Sequence, residues 1–289
     1  MTRIGFVGTG IMGKPMAFNL LRSGFPVAVY NRSVGRLSEL LAAGASAPRT
    51  LRELAEQSDV VITMLPGWPE LEEVLHGAAG LLAGVRRGTL YLNMETIAPA
   101  EARAVAALMW ERGAESLDAP VSGGETGAIE ASLSIMAGGS EATFERALPL
   151  LRAMGRNVAR IGESGAGQIA KACNQLIVAV TIEAVAEALA LAKAFGVDPA
   201  RVREALLGGF ATSRILELHG RRMIENNYTP GGPMKSHLKD RDIVSQAARE
   251  ARLDLPAAQV AFDRVKEVVD RGGGELDHSA LYTLFERKG

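Results

Sequence analysis

Short, almost wholly apolar runs alternate with amphipathic stretches through the first half of the chain, and the alternation stops near residue 161. The runs at 3–8 (RIGFVG), 26–33 (PVAVYNRS), 58–65 (SDVVITML) and 88–94 (GTLYLNM) are too short for helices. Their continuous apolar character predicts strands of a parallel sheet covered on both faces. Helical periodicity fills the gaps: residues 14–24, a segment opened by Thr50 and Glu53 in capping-box spacing, and residues from about 99 to 112. AESLDAPVSGG, LSIMAGG and RNVARIG, with a helix from Ser140, complete a βα alternation whose last strand ends near Ile161.

Residues 165–196, GAGQIAKACNQLIVAVTIEAVAEALALAKAFG, form the longest uninterrupted helical pattern. At 1.5 Å per residue such a helix spans roughly 45 Å, more than one small domain needs. It is expected to join two domains and to pack against a second chain. Gly165 and Gly167 open it and Gly196 closes it. Apolar residues occupy nearly every face, which implies burial on more than one side. Lys171, Asn174 and Gln175 interrupt this as one narrow polar face, at i, i+3 and i+4. A lysine in such a wall needs a partner or a task.

From Asp198 onward only helical segments and turns are legible. Asp198-Pro199 starts one helix, 223–233 is a Gly/Pro/Asn-rich loop, 234–253 is a second helix, and Leu255-Pro256 leads into a third ending near Asp270. DHSALYTLFERK closes the chain. The expected fold class is therefore α/β: an N-terminal Rossmann-type doubly wound sheet over 1–162, a long connecting helix over 163–196, and an all-α C-terminal domain over 197–289.

Composition narrows the function classes. The 289 residues are 47% hydrophobic and 22% charged, with a net charge of -1. That balance supports two ordinary cores and offers no electrostatic footprint for nucleic acid or an anionic membrane, so a small-molecule partner is expected. The single cysteine, Cys173, excludes an intrachain disulfide; on the apolar helix it reads as a small core residue of a cytoplasmic protein. Glycines interrupt the N-terminus too early for a signal peptide, and Glu183 and Glu187 break the apolar run of the long helix, so neither export nor membrane anchoring is expected.

Chemistry enters at the first strand-turn-helix unit, Gly8-Thr9-Gly10-Ile11-Met12-Gly13. Gly8 permits the tight turn, Gly10 lets a pyrophosphate approach the backbone, and Gly13 lets helix and strand pack closely. At the end of the second strand, where an Asp or Glu would select NAD, stand Asn31, Arg32 and Ser33. An amide, a guanidinium and a hydroxyl favour NADP(H), with NAD(H) as the alternative. Later strand ends, at Leu65-Pro66 and at 94–96 with Thr96, should emerge on the same carboxyl edge.

Taken in order, FVGTGIMGKPMAFNL, METIAP, DAPVSGGETGAIEASLSIMAGG, GAGQIAKACNQLIVA, HLKD and DHSAL resemble the β-hydroxyacid dehydrogenase family over essentially the whole chain. The family includes 3-hydroxyisobutyrate dehydrogenases and tartronate semialdehyde reductases. The resemblance implies that Lys171 is the catalytic residue, that Ser122, Gly123 and Gly124 hold a substrate carboxylate, that Asn174 with Gln175 beside it positions substrate, and that Thr96 and Lys239 lie near the cofactor. Asn174-Gln175 after the lysine is closer to the tartronate semialdehyde reductases, which carry Asn-Gln there, than to the hydroxyisobutyrate enzymes, which usually carry Asn-Asn. Three departures mark this chain: Glu95 stands where a small hydroxyl residue is common, Ala131-Ser132 replace a Gly-Thr, and Gly232 replaces an aromatic.

The implied reaction suits these residues. Hydride delivered to an aldehyde carbon leaves an alkoxide, and an ammonium in a partly apolar site supplies its proton and stabilises its charge. The expectation is an NADPH-dependent reductase of a short carboxylate-bearing aldehyde, reversible as a dehydrogenase, with tartronate semialdehyde first. 3-Hydroxyisobutyrate, succinic semialdehyde and glyoxylate are alternatives, as are a non-catalytic dinucleotide sensor and an imine reductase of similar architecture. His76, His219, His237 and His278 show no metal-ligand spacing, so no metal is expected. Asp240 and Asp242 read as a solvated helix face with Lys239 and Arg241. A homodimer or homotetramer is expected.

Overall fold

The computed structural model describes residues 1–285. The chain divides into two compact units, Met1–Lys171 and the remainder from Ala172. In the first, the order is β1 (Ile4–Val7), α1 (Gly13–Arg22), β2 (Val27–Tyr30), α2 (Ser38–Ala42), α3 (Leu51–Gln57), β3 (Val60–Thr63), α4 (Trp68–Leu75), α5 (Leu81–Gly84), β4 (Leu90–Asn93), α6 (Pro99–Trp110), β5 (Glu115–Asp118), β6 (Val121–Ser122), α7 (Gly124–Ile129), β7 (Leu133–Gly138), α8 (Glu141–Met154) and β8 (Gly155–Gly162).

The sheet runs β2-β1-β3-β4-β5-β7-β6, with β8 on the other side of β7. The first five strands are mutually parallel in flush register, Ile4 opposite both Val27 and Val60. Successive side chains alternate between two cores: Ile4, Phe6, Ile62 and Leu92 face α1 and α8, whereas Val7, Val61 and Tyr91 face α3, α4 and α6. This double coverage is why the strands read as continuous apolar runs. The parallel-dominated sheet expected from the sequence is present, but its far edge is mixed: β5 and β6 pair antiparallel with β7 in one continuous register, Asp118 opposite Gly138 and Ser122 opposite Ser134. Local signals set the helix starts. Thr50 Oγ1 accepts the Glu53 N–H at 3.0 Å, while the Glu53 carboxylate reaches the N–H of Arg49, one residue earlier than a capping box requires.

The helix α9 (Ala166–Ala194) belongs to both units. After it come α10 (Pro199–Leu207), α11 (Arg214–Ile224), α12 (Met234–Ala251), α13 (Pro256–Val268) and a 3-10 segment His278–Phe285. Asp198 caps α10 by accepting the Ala200 N–H at 2.9 Å, and Ser213 caps α11 through Leu216 at 3.0 Å. One core joins Ile182, Ala186, Leu189, Leu216, Met223 and Leu281; a second joins Ala179, Val244, Ala261 and Phe262. By length and composition α9 is apolar enough to cross a membrane, a test that the core helix of a soluble protein also passes. Its Glu183 is buried 3.4 Å from Arg264, and burial pushes that carboxyl up to about 7 against the opposing guanidinium.

Two readings of individual residues are corrected. Cys173 is exposed, because it falls on a face of α9 that the described chain leaves uncovered together with Ile169 and Ile177. Asp240 is buried rather than solvated, because a side-chain amide of α9 donates to it; Asp242, exposed and paired with Arg241 at 2.8 Å, keeps the expected role.

Candidate active site

Because β1 to β4 are parallel, their C-terminal ends deliver the glycine turn, Asn31–Ser33, Leu65-Pro66 and Glu95-Thr96 to one edge of the sheet. The turn's three glycines are constrained differently. Gly8 has φ +96°, and a Cβ there would stand 2.3 Å from the Met64 carbonyl oxygen; a Cβ on Gly13 would meet the Gly8 oxygen at 1.9 Å. At Gly10 a Cβ would meet nothing within 4 Å. Its backbone therefore faces open space in front of the N-terminus of α1. The Thr9 hydroxyl is buried there without a hydrogen-bond partner, and Ile11 and Met12 complete the turn. An open backbone, an orphan hydroxyl and a helix N-terminus fit a dinucleotide pyrophosphate.

At the end of β2, Asn31 Nδ2 donates to the Ser33 carbonyl at 3.1 Å and shapes the turn. The Arg32 side chain is 85% exposed and lies 3.9 Å from Glu73, so its guanidinium remains available to a ligand. A cleft of about 670 Å³ opens beside the turn, lined by Thr9, Gly10, Ile11, Lys14, Arg36 and Glu125 among others.

Lys171 lies in the second turn of α9 and is only 7% exposed. Its helix is tied to the same edge by a residue that the sequence reading passed over. Asp118, at the end of β5, accepts the Gly165 N–H at 2.7 Å through Oδ1 and the Gln168 N–H at 2.9 Å through Oδ2. Burial raises the Asp118 carboxyl to about 6, and these backbone bonds limit the rise. Gln168 adds its side chain: Nε2 donates to the Asn93 side-chain oxygen at 3.2 Å and to the Glu95 carbonyl at 2.8 Å, and Oε1 accepts the Ile97 N–H at 3.3 Å. The only visible trace of this in sequence was the pairing of glycines Gly138 and Gly167 with an aspartate ending a strand.

Ser122 ends β6, and Gly123 joins it to Gly124, the first residue of α7. Gly123 has φ +135° and Gly124 φ +60°, conformations that favour glycine and turn the chain into α7. Ser122 is half-buried, while Gly123 and Gly124 are exposed.

In the second unit, the Asn174 side chain donates to Gln175 Oε1 at 2.8 Å, Gln175 Nε2 donates to Asp240, and Lys239 Nζ lies 4.0 Å from Asp240. Gln175 thus has both halves of its amide engaged and orients Asn174. Three of the four histidines cluster. His278 stacks on His237 at 4.4 Å between ring centroids and lies 6.3 Å from His219. Asp277 lies 3.4 Å from His219 and 3.0 Å from Arg222, and accepts from Ser279 at 2.6 Å. Burial alone would raise the Asp277 carboxyl, but the nearby His219 and the bonds from Ser279 and Gly231 outweigh it and hold it far below the carboxylate range. Burial, then the neighbouring His237, push the His278 imidazole down to about 3. A Cβ on Gly232 would stand 3.0 Å from the His278 ring, so a side chain there requires that ring to give way. Among the described residues, no group of three or more His, Cys, Asp or Glu is placed to hold a metal ion.

Residues 3–162 match the NAD binding domain of 6-phosphogluconate dehydrogenase, and residues 165–285 match the NAD-binding domain of NADP-dependent 3-hydroxyisobutyrate dehydrogenase. The chain is 45% identical to 2-hydroxy-3-oxopropionate reductase of Escherichia coli, covering 98% of this chain and 97% of that one. It is 38% identical to the NAD-dependent L-serine dehydrogenase of Pseudomonas aeruginosa, covering 99% and 98%. Mycobacterium tuberculosis 3-hydroxyisobutyrate dehydrogenase, solved with L-serine, superposes with a TM-score of 0.89 at 33% identity, covering 99% of this chain and 100% of that one. The chain therefore belongs to the β-hydroxyacid dehydrogenase family, oxidoreductases that act on CH–OH groups with a nicotinamide dinucleotide.

Proposed function

We propose that the protein reduces a short carboxylate-bearing aldehyde to its hydroxy acid with NADPH, and catalyses the reverse oxidation, with 2-hydroxy-3-oxopropanoate (tartronate semialdehyde) as first substrate. The observation that carries the reading is the burial of Lys171 one turn beyond a helix start anchored to the strand edge by Asp118 and Gln168. The 45% identity to the E. coli 2-hydroxy-3-oxopropionate reductase supports the choice of substrate.

In this reading residues 1–162 bind the dinucleotide, 163–196 carry Lys171, and 197–289 are the helical domain. When bound, the nicotinamide supplies the hydride. Lys171 Nζ donates a proton to the oxygen of the reduced carbonyl and stabilises its developing charge; in the oxidation it takes the proton back. Ser122, Gly123 and Gly124 hold the substrate carboxylate, and Asn174, oriented by Gln175, positions the substrate. Thr96, Leu65, Pro66 and Lys239 border the cofactor. The exposed Arg32, with Asn31 and Ser33, favours the 2′-phosphate of NADP(H), and NAD(H) is the weaker ligand. The protein works as a cytoplasmic homodimer or homotetramer, a reading supported by the uncovered apolar residues Ile177, Leu191 and Phe195 along α9 and just beyond it.

The 38% identity to an L-serine dehydrogenase favours a second reading, oxidation of L-serine or 3-hydroxyisobutyrate. A panel of tartronate, methylmalonate and succinic semialdehydes, glyoxylate, L-serine and a cyclic imine, followed by NADPH oxidation or NADP⁺ reduction, separates the readings. Tartronate semialdehyde should give the highest kcat/KM, and Lys171→Ala should lose at least ~100-fold in kcat while staying folded. Turnover of imines alone, or none at all, would reject the proposal.

A further inference from the structure

Glu95 is fully buried two residues beyond the end of β4, where a small hydroxyl residue is common in the family. Its contacts with Thr63, Asn93 and the Leu65 N–H all run from donor to carboxylate. Thr63 Oγ1 donates to Glu95 Oε1 at 2.9 Å. A hydroxyl has one proton, so in the 2.7 Å contact between Thr63 and Tyr91 the phenol is the donor. Asn93 Nδ2 also donates to Glu95 Oε1, at 2.7 Å, and the Leu65 N–H reaches Oε2 at 3.4 Å. With its amide nitrogen committed to Glu95, Asn93 presents Oδ1 to Gln168 Nε2. Gln168 in turn can be oriented only one way, because its oxygen must face the Ile97 N–H. Donors from two strands and the loop after β3 thus converge on one carboxylate, and the order they impose is passed to α9.

The two anchors of α9 do different work. Asp118 holds the first backbone N–H groups and sets where the helix starts. Gln168 adds a constraint on rotation about the helix axis, since three bonds from one side chain hold that face of the helix against Asn93, Glu95 and Ile97. Lys171 is three residues on, on the same face and about 4.5 Å along the axis. A displacement of the order of 1 Å at a reacting group costs ~100-fold in rate.

We propose that Gln168 and Glu95 are positioning residues of the proton donor: the chain Tyr91–Thr63–Glu95–Asn93–Gln168 sets the rotation of α9, and with it Lys171, relative to the strand ends at Leu65 and Thr96. The inference rests on the reading of Lys171 as proton donor. It also gives Glu95 a role, as the common acceptor that orders the network.

The test measures kcat, KM and NADPH affinity, the last by quenching of protein fluorescence, for wild type, Gln168→Met, Glu95→Gln, Lys171→Ala and the Lys171→Ala/Gln168→Met double variant. Gln168→Met keeps the volume and removes all three bonds; its kcat should fall at least ~10-fold with NADPH affinity within about twofold of wild type. Glu95→Gln, which turns one acceptor oxygen into a donor facing the Leu65 N–H, should lower kcat in the same direction and also weaken NADPH. In the Lys171→Ala background Gln168→Met should cost little further, because the group it positions is gone. A purely structural role would lower the melting temperature of Gln168→Met and leave kcat below that temperature within twofold, which overturns the inference, as does full additivity in the double variant. Should Gln168→Met not fold, an unchanged kcat in Glu95→Gln decides against it. If Lys171→Ala itself remains active, the earlier reading of the lysine has failed instead.

Discussion

The carboxylate of Asp118 occupies the space that a side chain on Gly167 would need. A Cβ on Gly167 would stand 2.8 Å from Asp118 Oδ2 and 2.4 Å from the Met136 carbonyl oxygen. On the other side, a Cβ on Gly138 would stand 2.5 Å from Asp118 Oδ1. Gly167, the second residue of α9, is therefore a packing requirement of its carboxylate cap, four residues before Lys171.

Gly167→Ala should accordingly destabilise the fold by about 1–3 kcal/mol, since a backbone oxygen cannot move aside as a flexible side chain would. Urea denaturation of the purified variant measures this. The same substitution should lower kcat more than it raises KM, because the displaced helix carries Lys171.

Asp118 should leave a signature in the pH profile. Its carboxyl is raised from 3.8 to about 6, chiefly by burial. A raised carboxyl binds its proton more tightly folded than unfolded, so this group's contribution to stability is fully present below pH 3.8 and is lost as pH rises through about 6. Catalysis runs the opposite way: protonation puts an O–H where Gly165 or Gln168 already donates and weakens the cap. Wild-type kcat should therefore fall on the acid side of about pH 6. Asp118→Asn, whose amide mimics the protonated group, should be slow and lack that inflection in pH–rate measurements.

The histidine cluster predicts acid sensitivity of the C-terminal unit. The His278 imidazole is held near 3 against an ordinary 6.5, so its contribution is present above pH 6.5 and is lost as pH falls towards 3. Between those values one proton taken up on unfolding gives a slope of up to about 1.4 kcal/mol per pH unit. The groups facing it, His237, His219, Asp277 and Asp240, are the same in both proteins being compared. His278→Phe should thus lose less stability than wild type between pH 6.5 and pH 4 in denaturation curves.

Cofactor choice should turn on Arg32. Its side chain is largely exposed and lies 3.9 Å from Glu73, so replacing it disturbs little of the fold. Loss of a charge-assisted bond to phosphate costs about 1.5–3 kcal/mol, and Arg32→Ala should weaken NADPH ~10- to 100-fold while leaving NADH nearly unchanged. Fluorescence titration with both cofactors checks this; an equal loss for both would remove Arg32 from the 2′-phosphate.

Much of the molecule was legible in the chain because the signals were local. Strand runs such as VVIT (Val60–Thr63), the glycine turn, and the caps at Thr50, Ser140 and Asp198 depend on residues a few positions apart. Apolar periodicity separated the sheet-bearing half from the helical half for the same reason. Tertiary structure alone decided which polar groups are buried together. Asp118 meets Gly165 across 47 positions, Gln168 meets Glu95 across 73, and Gln175 meets Asp240 across 65. No periodicity records such pairings, because each side chain is locally compatible with an exposed position and becomes a buried hydrogen-bond partner only once distant backbones converge. The exposure of Cys173 has the same origin: helical spacing places it on an apolar helix, but only the packing of other elements determines which faces of that helix are covered. The sequence by itself thus determined the layers, the glycine turn and the lysine, whereas the tertiary structure decided how that lysine is held.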